Sequence, residues 1–544
     1  MKYLLAFGSV VQWFIAATQP TWQDPPKLVV AVVVDQMRAD YIYRYWDNYG
    51  EGGFKRLVNE GAFCRDAHYP YGPTDTGPGH ASIHTGSVPA YHGIVANDRY
   101  VRSLGRTAYC VEDTLAQVIG TGEPAAGRSP RPLQASTLAD ELERATNGKS
   151  KTISISLKDR SAVLPIGRTG DAAYWFHGTT GFVSSDWYMA ALPSWITAFN
   201  TLNPMAGYMQ GTWDLLLPAE RYQFTDTSHN AFERIIPGAE KAELPLDLDA
   251  LRMESTAGEA FLHTPGGNTI LVDLALIAIE AEGLGADTIT DMLSISFSAT
   301  DKLGHRTGPL SLELEDMYIR LDREIERLLK GLDAAVGGNY TLFLTADHGV
   351  LDVPAYRASK GANGGYLDLR AVRADVEEYL QQAYGPGPWV SYVNDDVVFL
   401  DRTLVRAKGL DLAELQAAAA MVAQDVSGLL DVYSSSELER NPPREGPGLL
   451  LARGHHVQRG ADLYFLPMPG YESTFSVSRG LGADHGSTWT YDTHVPLLFF
   501  GEGVRPGEVL RRVAITDIAP TLAMILGCAL PDAAIGVAIP EVLR

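Results

Sequence analysis

At 544 residues, 46% of them hydrophobic and 20% charged, the chain can form one large domain with insertions or two to three domains around a substantial core. A formal net charge of −22 excludes binding long DNA or RNA as a principal task, though not a small phosphorylated molecule at a metal centre, which sets its own local field. Three cysteines, Cys64, Cys110 and Cys528, are too few for a disulfide scaffold; one pair can bridge outside the cytoplasm and leave one thiol free.

Residues 1–18 open with Lys2 and run through an apolar centre to Ala16-Ala17. A short positive start, an apolar run too short for a full span and small residues at the end predict a secretory signal peptide, with no stable membrane insertion. Lys27 to Val34 is a continuous β-branched run, the pattern of a strand buried on both faces of a parallel sheet, and it ends in Asp35. Asp40 to Glu60 is aromatic and amphipathic and predicts a helix. A loop at Pro73–Gly77 then leads into a helix expected from about Pro78 to Thr85, where a proline in the first turn loses nothing by lacking its N–H. Thr76 falls just before that helix, where free N–H groups and the helix dipole favour an anion.

Lys151 to Leu157 alternates and predicts a strand. Residues 161–290 lose the strand–helix rhythm and hold Trp175, Trp187, Trp195 and Trp213, which reads as an insertion with a short helix near Thr269–Glu282. A strand over Met292–Ser298, an amphipathic helix over Leu312–Leu332 and a strand over Tyr340–Thr345 follow. From 354 to 470 the pieces are a helix near Leu369–Tyr384, a strand near Ser391–Leu400, a helix near Leu412–Val426 and a strand near Asp462–Leu466, a small α+β subdomain. A buried strand over Val495–Phe500 and a helix over Thr516–Leu526 close the chain. The expected fold is α/β: a doubly wound, mostly parallel sheet with helices on both faces. Its core parts are 27–160, 291–353 and 471–544, and 161–290 and 354–470 are inserted caps.

Asp35, Asp301 with His305, Asp347 with His348, and His485 all fall after expected strands. Ligands of an open parallel sheet bind beyond the carboxyl ends of its strands, so these positions can converge on one edge. Three Asp and three His make a nitrogen and oxygen set suited to zinc, and a metal pair can hold both the attacking and the leaving oxygen of an in-line displacement. Each piece alone has an ordinary explanation: Asp35 as a turn former, Asp301 and His305 as a local pair, Thr76 as a cap. His80, His84 and His92 are expected to be structural. Thr345-Ala346-Asp347-His348-Gly349 is harder to justify by packing.

Together, Asp35, Thr76-Gly77-Pro78-Gly79-His80, Asp301-x3-His305, Asp347-His348-Gly349 and His485-Gly486-Ser487 resemble the alkaline phosphatase superfamily of two-metal phosphatases and phosphodiesterases. The motifs frame about 27–160, 291–355 and 484–530. The resemblance implies two zinc ions per chain. One would be held by Asp301, His305 and His485; the other by Asp35, Asp347 and His348, with Thr76 as both ligand and nucleophile.

No Cys-x-Pro-x-Arg context is present, so the chain does not resemble a sulfatase. Lys158 and Arg160 stand two apart at the end of an expected strand and leave one face if the strand persists, where two cations can grip a dianionic phosphate. Asn97 can donate to another phosphate oxygen. This Thr76, Asn97, Lys158, Arg160 set resembles PafA-type periplasmic alkaline phosphatases, which implies a monomeric enzyme acting on small-molecule phosphate monoesters through a phosphothreonine. Two rivals stand beside that reading: a phosphodiesterase or nucleotide pyrophosphatase on the same core, and a non-catalytic metal-containing binding protein.

Overall fold

The computed structural model describes residues 24–544 apart from 123–124, 179, 224–229, 395 and 476–479, so the expected signal peptide at 1–18 lies outside the described residues. Its centre is a mixed, mostly parallel sheet in the order Gly507–Val509, Ala62–His68, His494–Gly501, Tyr340–Thr345, Leu28–Val34, Asp291–Phe297, Thr152–Ser156, Ala172–His177, Gly181–Ser185, Val118–Ile119, with Val513–Ala514 also pairing Ala62–His68. Every residue of Leu28–Val34 is buried, which is why this strand reads as an unbroken apolar run. Helices cover both faces: Thr76–Thr85 packs on Asp159–Ile166, and Gly266–Glu282 on Leu312–Val336.

The register of the parallel strands decides where the site lies. Val34 pairs with Phe297, Val33 with Thr345 and Ser156 with Ser296. Four strands therefore end level, and the residues that follow them emerge at one edge.

Several expected elements differ in detail. The helix expected over Asp40–Glu60 is broken into Tyr41–Arg44, a 3-10 turn at Trp46–Asn48 and Phe54–Glu60. The cause is the buried Asp322 carboxylate, which accepts the backbone N–H groups of Gly50 (2.7 Å) and Phe54 (2.8 Å) in place of helical carbonyls. A Cβ on Gly53 would stand 2.2 Å from Asp322 Oδ1, so only glycine admits this approach. The helix expected from Pro78 begins two residues earlier, at Thr76. The expected strand at Ser391–Leu400 is a hairpin of Val390–Asn394 and Val397–Leu400, with Asp396 left-handed (φ 62°) in its turn.

The stretch 161–290, expected as an insertion, contributes Ala172–His177 and Gly181–Ser185 to the central sheet and the long helix Gly266–Glu282 to its face. The rhythm is obscured there because these strands lie near the sheet edge and are joined by a tight antiparallel turn rather than a crossover helix. The second expected subdomain holds a four-stranded antiparallel sheet in the order Val390–Asn394, Val397–Leu400, Leu463–Pro467, Leu429–Ser434. Helices Leu369–Tyr384 and Leu412–Ala423 pack against it around an apolar core of its own that includes Trp389, Val376 and Leu415. Asp462 ties this sheet to the main body. Its buried carboxylate takes Arg402 (2.8 Å) and Gln416 (2.8 Å) from its own side, and Arg102 (3.0 Å) from the hairpin Asp98–Val101/Arg106–Tyr109. All three cysteines are free.

Candidate active site

Thr76 is the first residue of its helix and is 1% exposed. Its Oγ1 lies 3.2 Å from Arg160 Nη2 and 3.4 Å from Lys158 Nζ. Neither cation arrives by the expected route. The strand stops at Ser156, Lys158 is the N-cap of the next helix, and Arg160 sits in that helix's first turn. Both reach Thr76 because this helix packs directly on the one Thr76 begins. Asn97 Oδ1 accepts the N–H of Gly77 at 2.8 Å, which sets its amide beside the same helix start. Gly79 explains the Thr-Gly-Pro-Gly-His spacing: a Cβ there would stand 2.4 Å from the carbonyl oxygen of Asp347, so glycine lets the helix lie against the adjacent strand end. His80 then bonds Thr76 O (2.9 Å) through Nδ1 and Ser296 Oγ (2.8 Å) through Nε2, a structural role that pins helix to sheet.

Around this point the structure brings together Asp35, Asp301, His305, Asp347, His348 and His485. Asp35, Asp347 and His348 offer ligand atoms within 4.8 Å of one another; so do Asp301, His348 and His485. His305 Nε2 lies 3.1 Å from Asp301 Oδ1, and His485 Nε2 lies 3.8 Å from the same oxygen. Asp301 and His305 share one face of the helix Ala299–Thr307. The three histidines are oriented alike. His305 Nδ1 donates to Ala483 O (2.9 Å), His348 Nδ1 to Gly349 O (2.9 Å) and His485 Nδ1 to Thr74 O (2.8 Å). Each Nε2 is thereby aimed at the carboxylates, the arrangement by which a backbone acceptor orients a metal-binding imidazole, and, against burial, the Asp301 charge pushes His305 up to about 9.

The electrostatics call for cations. Burial, and then the neighbouring Asp301 charge, raise Asp35; burial, and then Asp35, raise Asp347 well above the usual carboxylate range. Burial would raise Asp301 too, but Lys158, His305 and His485 hold it well below that range. Burial pushes His348 down to about 3 and, with His348 beside it, His485 down to about 4, so both stay neutral and available as ligands. Lys158 Nζ bridges Asp35 Oδ2 (2.6 Å) and Asp301 Oδ2 (2.5 Å), leaving more negative charge than one ammonium balances. Asp35 Oδ1, Asp347 Oδ2 and His348 Nε2 are buried without a hydrogen-bond partner among the described residues. Three acceptor atoms facing one another in a dry site fit a divalent cation and are costly without one.

Three participants escaped the sequence reading. Gln36, left-handed at φ 66°, donates Nε2 to Asp301 Oδ1 (3.0 Å) and its backbone N–H to Asp347 Oδ1 (3.2 Å), linking the two ligand sets. Its place directly after Asp35 was the available signal. Tyr109 Oη accepts from Arg160 Nη1 (2.9 Å) and donates to Asp159 Oδ1 (2.5 Å), which in turn pairs with Arg128. Asp484 Oδ1 lies 3.6 Å from His305 Nδ1. A cavity of about 330 Å³ opens from Thr76 toward the second sheet.

A doubly wound sheet whose strand ends gather a threonine, two cations and an Asp/His set defines a phosphoryl-handling metalloenzyme core. The chain belongs to the alkaline phosphatase superfamily. The model of the family described as type I phosphodiesterase / nucleotide pyrophosphatase matches residues 29–488. Alkaline phosphatase PhoV of Synechococcus elongatus is 38% identical over 95% of this chain and 93% of its own. Alkaline phosphatase PafA of Elizabethkingia meningoseptica is 36% identical over 100% of this chain and 99% of its own. A crystal structure of wild-type PafA superposes with a TM-score of 0.90 at 36% identity, covering 96% of this chain and 99% of that one. A Myroides odoratus protein named a calcium-transporting ATPase is 39% identical over 96% of this chain and 95% of its own. Among the described residues no helix is long and apolar enough to cross a membrane.

Proposed function

We propose that the protein is a two-zinc phosphomonoesterase that works through a phosphothreonine at Thr76. The observation that carries this reading is the meeting of Arg160 and Lys158 on Thr76 Oγ1 at 3.2 and 3.4 Å, at a helix N-terminus beside the Asp/His set. Full-length likeness to two proteins named alkaline phosphatases supports it.

Asp301, His305 and His485 would hold one zinc; Asp35, Asp347, His348 and Thr76 the other. Bound there, two ions supply the charge that lowers the pKa of the threonine hydroxyl and neutralises the leaving oxygen. The chain's own groups do the rest. Arg160 and Lys158 bind the non-bridging oxygens of a dianionic phosphate, and Asn97 donates its amide to a third. Thr76 Oγ attacks phosphorus as the bond to the leaving alcohol breaks. Water then cleaves the phosphothreonine, releasing inorganic phosphate and restoring the hydroxyl. Tyr109 and Asp159 keep the guanidinium of Arg160 turned toward Thr76.

The family model favours a second reading, phosphodiester hydrolysis on the same core. A diester carries one charge less and a second substituent, so the Arg160–Lys158 pair serves it less well. The deciding test is turnover of an aryl phosphate against its matched diester, with metal content measured on the same sample. About two zinc per chain and a strong monoester preference are expected; a diester preference would overturn the branch. Residues 1–18 support export to the periplasm or medium, where the enzyme would act as a monomer.

A further inference from the structure

One and two strands out from Tyr340–Thr345, on the same edge of the central sheet, a second set of ligating side chains meets. Asp66 and His68 stand two apart on Ala62–His68 and so share a face, and His494 pairs directly opposite His68 in the antiparallel register. The two imidazoles stack, with ring centroids 4.5 Å apart and planes 10° from parallel. His68 Nε2 lies 2.7 Å from Asp66 Oδ1. Asp66, His68 and His494 each offer a ligand atom within 4.8 Å of the other two, and none of them belongs to the set around Thr76.

Both rings have an acceptor behind them. Thr493 Oγ1 lies 3.2 Å from His68 Nδ1, and His494 Nε2 donates to Arg65 O at 3.1 Å. With Nδ1–H turned to Thr493, His68 presents the Nε2 lone pair to an ion, which takes the place of the proton that Nε2 donates to Asp66 Oδ1; with Nε2–H turned to Arg65, His494 keeps a lone pair on Nδ1. Burial, and then the adjoining His494, push His68 down to about 4, so its ring is neutral and gives Asp66 no counter-charge. A surface cavity of about 560 Å³, lined in part by His68, Thr493 and Arg512, gives an ion access and a water room in a fourth position. The competing cation is Arg512, whose Nε stands 3.8 Å from Asp66 Oδ2; its side chain is 62% exposed and free to turn into solvent. We propose that Asp66, His68 and His494 form a further metal site, separate from the active-site set, that takes zinc or a similar nitrogen-favouring divalent ion and clips the strand Ala62–His68 to His494–Gly501. Two imidazoles and one carboxylate suit zinc, whereas magnesium and calcium want oxygen ligands throughout. Asp492 O takes the N–H of Gly349 (2.7 Å) and Thr493 O that of Tyr69 (2.9 Å), so the clip steadies the segment that backs the strand end carrying His348.

The test is zinc uptake by the full chain at equilibrium. Wild type, His494→Gln and Asp66→Asn are dialysed against free zinc stepped from about 0.1 to about 100 µM, and the metal held by each chain is measured. The wild type is expected to hold one equivalent more than either variant, taken up beyond the equivalents that all three share. The same dialysis against magnesium is expected to show no difference between the chains.

Equal zinc uptake by the three chains across that range would overturn the site, and so would an additional wild-type equivalent of magnesium, which would mark an oxygen site instead. If neither ligand variant folds, Arg512→Gln decides: without the competing cation the last zinc equivalent is expected to bind about threefold tighter or more, and unchanged or weaker uptake overturns the site. Because the readout is a difference in metal content between chains, it does not depend on which ester the active site prefers.

Discussion

The central sheet and the second sheet differ in how they hold charge. At the carboxyl ends of the central strands the carboxylates are held by buried partners: Asp301 by Gln36, Lys158 and His305, Asp35 by Lys158, and Asp347 by the backbone of Gln36. The second sheet has its own apolar core and brings Asp396 from a hairpin turn, while Glu472 comes from Tyr471–Thr474, which pairs with Gly365–Asp368 in a separate two-stranded sheet. It meets the main body through the Arg102–Asp462 pair and through Tyr100 stacked on Tyr392 at 5.2 Å. The comparison teaches that buried groups at the strand ends are positioned by the central sheet itself, while the other wall of the cavity comes from a module with a separate core.

The comparison breaks most sharply at Thr76. Thr76→Ala is expected to lower turnover by about 10³-fold or more with the fold retained, and Thr76→Ser to recover part of it. Acid-quenched reactions with labelled substrate check this: label should remain on the wild-type chain and be absent from the alanine variant. Chelation is expected to abolish turnover and to lower the melting temperature, because Asp35 Oδ1, Asp347 Oδ2 and His348 Nε2 would be left buried without a partner among the described residues; added zinc should restore both. Lys158→Ala with Arg160→Ala should cost about 10²- to 10³-fold on a monoester and far less on its diester. Equal losses on both would return the diesterase reading.

Effects on stability sharpen the comparison from the other side. Asp462→Ala leaves Arg102, Arg402 and Gln416 without their shared acceptor and is expected to cost about 3 kcal/mol, seen as a lower melting temperature. If the second sheet melts separately, that loss should fall on its transition alone. The smallest effect is a pH dependence in the main body. Burial pushes Asp322 up to about 6 from 3.8, so the folded state binds its proton more tightly than the unfolded chain. Stability contributed by that proton is present below the unfolded value and is lost as pH rises to about 6, a change of up to about 3 kcal/mol. Urea titrations between pH 4 and 7 should show this slope in the wild type and a flatter one in Asp322→Asn.

Much of the central sheet was legible because strands buried on both faces must be continuously apolar, as Leu28–Val34 and Tyr340–Thr345 are. That Asp35, Asp301, Asp347 and His348 would gather at one edge was legible, because residues that follow parallel strands emerge together beyond their carboxyl ends. The break at Gly50–Gly53 was not, since its cause, Asp322, lies some 270 positions away in the chain. Tyr109 was not, since its bond to Arg160 depends on a hairpin folding over a helix start. Lys158 and Arg160 were found for a geometric reason the structure replaces, two positions on a helix start rather than alternate positions on a strand.

What the sequence alone determined is the local and the periodic: buried strands, a threonine before a Gly-Pro-Gly helix start, and donor types suited to zinc. Those follow from side-chain chemistry and backbone preference, which need only near neighbours. The level ends of four strands and the common orientation of three imidazoles were decided only by tertiary structure. Each depends on the distance and direction between groups far apart in the chain, and burial among those groups makes such geometry count energetically.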